Sequence, residues 1–233
     1  APGYALLVAL ALFALAGGLG LALCVMSGWW LLPCGLACMA VGFLYNGGPL
    51  PLARTPLGEV FAGGFLGWVL PVLTALIALG GTNHPQAITG SSTSLFPALD
   101  PRLALIALPQ FLFVAAILSV NNTCDLQGDR QAGRRTLSIL LGPAAARFLP
   151  PVLITLAWLA ALANCLGGLF VPWTAAILAA GALASLPACL AMDRRGFSHA
   201  TKGPNMGQVS RLFLLFSLTE LAALTASLIC SGP

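Results

Sequence analysis

The chain has 233 residues, 59% of them hydrophobic and 7% charged, and its mean hydropathy is +0.96. A soluble domain carries about 25% charged residues, so an ordinary water-soluble globule is excluded. The net charge of +4 is too small to point to nucleic acid as a partner.

A helix needs roughly 20 apolar residues to cross the hydrocarbon core of a bilayer. Seven such runs are predicted, at about 3–25, 29–45, 59–80, 102–120, 146–166, 169–191 and 209–230. The expected fold class is therefore an all-α integral membrane protein, a polytopic helical bundle forming one domain over 1–233. The first run has no basic segment ahead of it and does not read as a signal peptide. It holds a cluster of small residues, Gly17, Gly18 and Gly20. Very short turns join the first run to the second and the fifth to the sixth, so each pair is a predicted helical hairpin. The second run ends in "NGGPLPLARTP", whose Gly and Pro residues stop a helix. The third contains Gly63 and Gly67 at GxxxG spacing, which lets helix backbones approach closely in lipid. A polar loop follows, "GGTNHPQAITGSSTSLFPALDP", with His84 in it. The fourth run leads into "SVNNTCDLQGDRQAGRRTLSILLG", Ser119 to Gly142, and the last run carries Glu220 at its middle. That glutamate is either functional or a protonated acid bonded to a neighbouring helix, for instance through Gln110. The seven cysteines are mostly inside apolar runs and read as small buried hydrophobes rather than as a zinc set.

Charge assigns the sides. Arg54 lies in the 45–59 loop. Arg130, Arg134 and Arg135 lie in the 120–146 loop, with Arg147 at its edge. Arg194, Arg195 and Lys202 lie in the 191–209 loop, with Arg211 just beyond. Only Arg102 lies opposite, so nine of the ten cations share one face. By the positive-inside rule that face is cytoplasmic. Glu59, Asp125, Asp129 and Asp193 lie on it too, so any chemistry is expected there. His199 is on this side without an identifiable partner in the sequence.

Asn121, Asp125 and Asp129 are spaced i, i+4, i+8, which on a helix puts them on one face about 6 Å apart per step. Two like charges on one face are unfavourable unless something positive lies between them. Mg²⁺ takes hard oxygen ligands and is held by one or two carboxylates plus substrate phosphates. Arg130, Arg134 and Arg135 follow closely, and guanidinium matches phosphate oxygens bidentately. Gly133 is placed to break the helix so that the arginines fold back toward the metal. A solvated loop obeying the positive-inside rule would explain the arginines but not the Asn/Asp period.

This stretch resembles the second aspartate motif of the UbiA superfamily of intramembrane prenyltransferases, roughly N-N-x-x-D-x-x-x-D-x-x-x-G-[KR]-x-T-L. Here it reads Asn121-Asn122 through Asp125, Asp129, Gly133 and Arg134 to Thr136-Leu137. The earlier loop, Leu44 to Gly63, is similar to its counterpart in the menaquinone branch at Tyr45, Pro49, Pro51, Arg54, Gly58, Glu59 and Phe61. The resemblance implies nine transmembrane helices and two aspartate motifs. Seven runs are present, and the motif follows the fourth where the family has it after the sixth. The chain is thus expected to lack the first two helices and the first motif, as a fragment would.

The resemblance also implies an activity: transfer of a polyprenyl group from its diphosphate to an aromatic acceptor. In the menaquinone branch that acceptor is 1,4-dihydroxy-2-naphthoate. It implies Mg²⁺ held by Asp125 and Asp129 with Asn121 or Asn122 in support, and diphosphate held by Arg130, Arg134 and Arg135. Tyr45 and Arg54 would approach the head group from the neighbouring loop, while the role of Glu59 stays open between helix-dipole support and chemistry. The expected location is the bacterial cytoplasmic membrane. Competing readings are another acceptor (4-hydroxybenzoate, homogentisate, a tetrapyrrole or a glycerol phosphate), a catalytically silent membrane protein, or a small transporter.

Overall fold

A computed structural model describes residues 2–49, 51–82 and 100–231. The polar stretch 83–99, with His84, lies outside the described residues. Ten α-helices are described: α1 (Pro2–Ser27), α2 (Leu31–Asn46), α3 (Gly58–Ala62), α4 (Leu70–Thr82), α5 (Pro101–Cys124), α6 (Leu126–Gln131), α7 (Leu137–Ala146), α8 (Leu149–Leu166), α9 (Thr174–Arg195) and α10 (Lys202–Ser231). A π-helical segment, Gly63–Val69, joins α3 to α4, and short 3₁₀ turns cover Leu52–Arg54 and His199–Thr201. No strand occurs among the described residues.

The protein is an all-helical integral membrane bundle. Among the described residues, six helical stretches are long and apolar enough to span a bilayer. All seven predicted runs are helical, but α2 has only 16 residues. At 1.5 Å per residue that is about 24 Å, short of a hydrocarbon core of roughly 30 Å.

The chain divides into two units, 1–43 with 73–99 and 44–72 with 100–233. In the first, α1 turns into α2 at Gly28, whose φ of 118° suits only glycine. The Trp30 indole donates to the Ser27 carbonyl there at 3.2 Å. The glycine cluster of α1 meets little: a Cβ on Gly18 or Gly20 would touch nothing within 4 Å.

In the second unit α5 is the central element, packed against α8, the π segment and α10. The core runs through Phe113, Val120, Ile154, Trp158, Leu178 and Phe216. Phe216 packs on Phe113 at 4.9 Å between ring centres and edge-on against Trp158 at 4.8 Å. The GxxxG glycines behave as their spacing predicts. A Cβ on Gly63 would lie 2.6 Å from the Phe111 carbonyl oxygen, and one on Gly67 would lie 2.5 Å from that of Gln110. The backbones meet here, and the helix widens to π geometry over the same residues.

Proline inside a membrane helix leaves a carbonyl without its usual donor. Pro109 sits in mid-α5, and the freed Leu105 carbonyl accepts from the Asn164 amide of α8 at 2.8 Å. The buried Glu220 of α10 likewise finds Gln110 of α5, which donates to its Oε2 at 2.6 Å. Of the two roles open for Glu220, the interhelical bond is the one observed.

Candidate functional site

The polar groups gather at one end of the second unit, where α5 ends and three loops meet. At Asp125 the backbone leaves ideal helical angles (φ −95°, ψ 9°). The i→i−4 bonds continue across it all the same, from Asp125 N to Asn121 O at 3.1 Å and from Asp129 N to Asp125 O at 2.8 Å. The predicted register therefore survives the break between α5 and α6.

Gly133 ends this turn with a φ of 68°, in the left-handed region that glycine enters without steric penalty. The chain then folds back. Arg134 donates its main-chain N–H to the Asp129 carbonyl at 2.9 Å, and its guanidinium meets Asp129 Oδ1 at 3.2 Å. Arg135 follows outside any helix and donates its N–H to the Arg54 carbonyl at 2.8 Å. The two loops singled out in the sequence are thus joined main chain to main chain. The side chains of Arg54, Arg130 and Arg135 are exposed.

Glu59 lies in the first turn of α3, where a carboxylate suits the helix dipole. It is 3% exposed, and Asn122 donates to its Oε1 at 2.9 Å. Asn121 donates in turn to Asn122 Oδ1 at 3.3 Å. The half-buried Tyr45 phenol feels the charges of both Glu59 and Arg134. Tyr45, Glu59, Asn122, Asp129 and Arg134 therefore form one connected neighbourhood.

The two aspartates differ in environment. Burial works to raise the Asp125 carboxyl, but Lys202 and His199 outweigh it and hold it below the ordinary carboxylate range. Lys202 Nζ pairs with Oδ2, and His199 Nδ1 lies 3.3 Å from Oδ1. Asp129 is nearly buried. Burial pushes its carboxyl above the usual range, Asp125 adds to the rise, and Arg134 pulls the other way.

Neither His199 nor Lys202 was singled out from the sequence as part of the site. His199 has a partner after all, although its side chain is 92% exposed. The loop that delivers both is pinned by the fully buried Asn205. Its Oδ1 accepts from Arg195 at 2.7 Å, and its Nδ2 donates to the Gly196 carbonyl at 2.9 Å. The only available signal was that Lys202 is the single lysine among ten cations. A cleft of about 600 Å³, lined in part by Asp125, Gln127, Arg147 and His199, opens beside this loop. Arg147 is paired there with Asp193 at 3.0 Å.

Could these residues hold a divalent cation? Two buried carboxylate oxygens, Asp129 Oδ2 and Glu59 Oε2, have no hydrogen-bond partner. An ionised carboxylate is acceptor-only, so a bare buried oxygen needs a donor or a cation. On that observation the donor set fits a hard cation at Asp129. Asp125 could join it once its oxygens are released from the Lys202 loop. Among the described residues no three His, Cys, Asp or Glu side chains converge as a ready-made metal set.

A sequence profile of the UbiA prenyltransferase family matches residues 5–217. The chain is similar to 1,4-dihydroxy-2-naphthoate octaprenyltransferase of Bacillus subtilis (strain 168), 36% identical over 172 residues, which is 74% of this chain and 50% of that protein. The Mycobacterium leprae (strain TN) protein of the same name is 30% identical over 58% of this chain and 40% of its own length. UbiA prenyltransferase domain-containing protein 1 of Gallus gallus is 47% identical over 52% of this chain and 31% of its own length. The chain thus spans half or less of the length of these relatives. No solved structure matches.

Proposed function

The chain belongs to the UbiA prenyltransferase family, and from that premise we propose that it transfers a polyprenyl group from its diphosphate to 1,4-dihydroxy-2-naphthoate, in menaquinone biosynthesis. The observation that carries this reading is the junction of the two motif loops. The Arg135–Arg54 main-chain bond ties the loop of Arg54 to the turn that follows Asp129, which supports grouping Tyr45, Arg54 and Glu59 with Asp125, Asp129 and Arg134. The names of the bacterial relatives support the naphthoate acceptor.

In this reading Asp129 and Asp125 hold Mg²⁺, with Asn121 and Asn122 supporting the carboxylates. The metal, when bound, supplies positive charge to the departing diphosphate. Arg130, Arg134 and Arg135 bind the diphosphate oxygens as charge builds on them, an electrostatic stabilisation prearranged in the folded protein. Tyr45 and Arg54 face the head group from the second loop. The hydrocarbon tail belongs in lipid, at roughly 0.8 kcal/mol for each buried CH₂. The apolar bundle keeps water from the allylic cation until the electron-rich ring attacks it. Attack from the ring carbon that bears the carboxylate is followed by loss of that carboxylate as CO₂, and the electron pair of the broken C–C bond restores the aromatic ring. The site faces the cytoplasm from the bacterial inner membrane, following the distribution of cations.

The test is prenyl transfer by the purified protein in lipid nanodiscs, with one labelled polyprenyl diphosphate and a panel of aromatic acceptors. Label entering the naphthoate with release of CO₂, stopped by EDTA and by either Asp125→Asn or Asp129→Asn, is the expected result. Transfer to another acceptor overturns the naphthoate assignment. Full activity in either variant overturns the metal assignment.

A further inference from the structure

We infer that Lys202 is a further diphosphate-positioning residue, one that neutralises Asp125 while no metal is bound and passes its ammonium to the diphosphate once a divalent cation takes that carboxylate. This rests on the site reading above and adds to it a residue from a third loop, outside both motifs.

Three observations carry the inference. Both Asp125 oxygens are occupied from the 196–202 loop, Oδ2 by Lys202 and Oδ1 by His199, whereas Asp129 keeps one oxygen bare. A cation taken up by the Asp125 carboxylate would therefore compete with Lys202 for it. Second, Lys202 is the first residue of α10. A positive charge there opposes the helix dipole, so forming the helix does not account for it. The turn before it is already capped by the reciprocal bonds of Ser198 and Thr201. Third, every other cation in the chain is arginine. A planar guanidinium fork is made for one fixed bidentate partner, while a lysine ammonium is a compact charge on a flexible stem. That is the side chain suited to exchange one oxyanion for another a few ångströms away. Its side chain is 32% exposed, which leaves it room to move.

The uniqueness of this lysine makes the unaltered protein its own probe. The acylation rate of Lys202 by an amine-reactive reagent is followed by peptide mass, with Mn²⁺ alone and with Mn²⁺ plus inorganic diphosphate. Mn²⁺ binding is followed in parallel by electron paramagnetic resonance. Release from Asp125 predicts faster acylation with Mn²⁺ alone, and capture by diphosphate predicts slower acylation when both are present. Lys202→Met should then bind Mn²⁺ several-fold more tightly and, at saturating Mn²⁺, bind diphosphate roughly tenfold more weakly, because a competing charge is lost in the first case and a binding charge in the second. Lys202→Arg should restore part of the diphosphate affinity. A merely structural tie would weaken both ligands together. Acylation that does not respond to ligands that do bind, or affinities that move in the same direction, overturns the assignment of Lys202 alone. Failure of the unaltered protein to bind Mn²⁺ and diphosphate at all overturns the site reading beneath it.

Discussion

Asn122 of α5 donates from its amide to Glu59 of α3 across 2.9 Å, and both side chains are buried. The bond locks the motif helix to the start of the π-containing span. Asn122 is also the side-chain donor to Glu59 Oε1. Replacing Asn122 with Leu removes the side-chain donor of a buried carboxylate, which costs about 1–3 kcal/mol. The thermal midpoint of the detergent-solubilised protein should fall accordingly, and Glu59→Gln in the same chain should recover part of the loss. An unchanged midpoint in Asn122→Leu would show that the bond contributes nothing.

The two aspartates should separate in their response to acid. A metal needs the ionised carboxylate, so a proton competes wherever the pH nears the group's pKa. Asp129 is raised, chiefly by burial, and so protonates at a higher pH than an ordinary carboxyl. Asp125 is held low by Lys202 and His199 against its own burial, and stays ionised further into acid. Mn²⁺ binding measured against pH should therefore lose its first acid limb through Asp129. Asp129→Asn should weaken binding and move the remaining limb to lower pH. A limb that stays in place would contradict this ordering.

Gly67 is the tightest point of contact between the π segment and α5, with a would-be Cβ 2.5 Å from the Gln110 carbonyl oxygen. Gly67→Ala must push two backbones apart, and overpacking of this kind destabilises by about 1–3 kcal/mol. Gly207→Ala, in α10, meets nothing within 4 Å and should be neutral or slightly stabilising on helix propensity. Thermal unfolding of the two variants side by side checks the contrast. Equal midpoints would mean that the close approach is not maintained.

Gln110 and Glu220 offer a double-mutant cycle inside the membrane. Gln110→Leu leaves the Glu220 carboxyl without its observed donor, while Glu220→Leu with Gln110→Leu removes both polar groups. Interhelical hydrogen bonds in lipid contribute about 0.6 kcal/mol on average and reach about 1.7 kcal/mol. The coupling measured by unfolding in mixed micelles should fall in that range, with the double variant more stable than Gln110→Leu alone. Zero coupling would remove the interhelical role of Glu220.

The amino-acid sequence alone determined the membrane class, the apolar helices and the end of the bundle that carries charge. Each of these follows from local composition measured against the thickness of a bilayer. It also determined the aspartate register and the back-fold at Gly133, because i, i+4 spacing and a left-handed glycine are local properties of a chain. The tertiary structure alone decided the pairings. Asn164 on the carbonyl freed by Pro109, Asn122 on Glu59, and Lys202 with His199 on Asp125 all join residues far apart in sequence. Such pairings depend on how helices pack and on where one buried side chain, Asn205, pins a loop. No periodicity within a single segment encodes them.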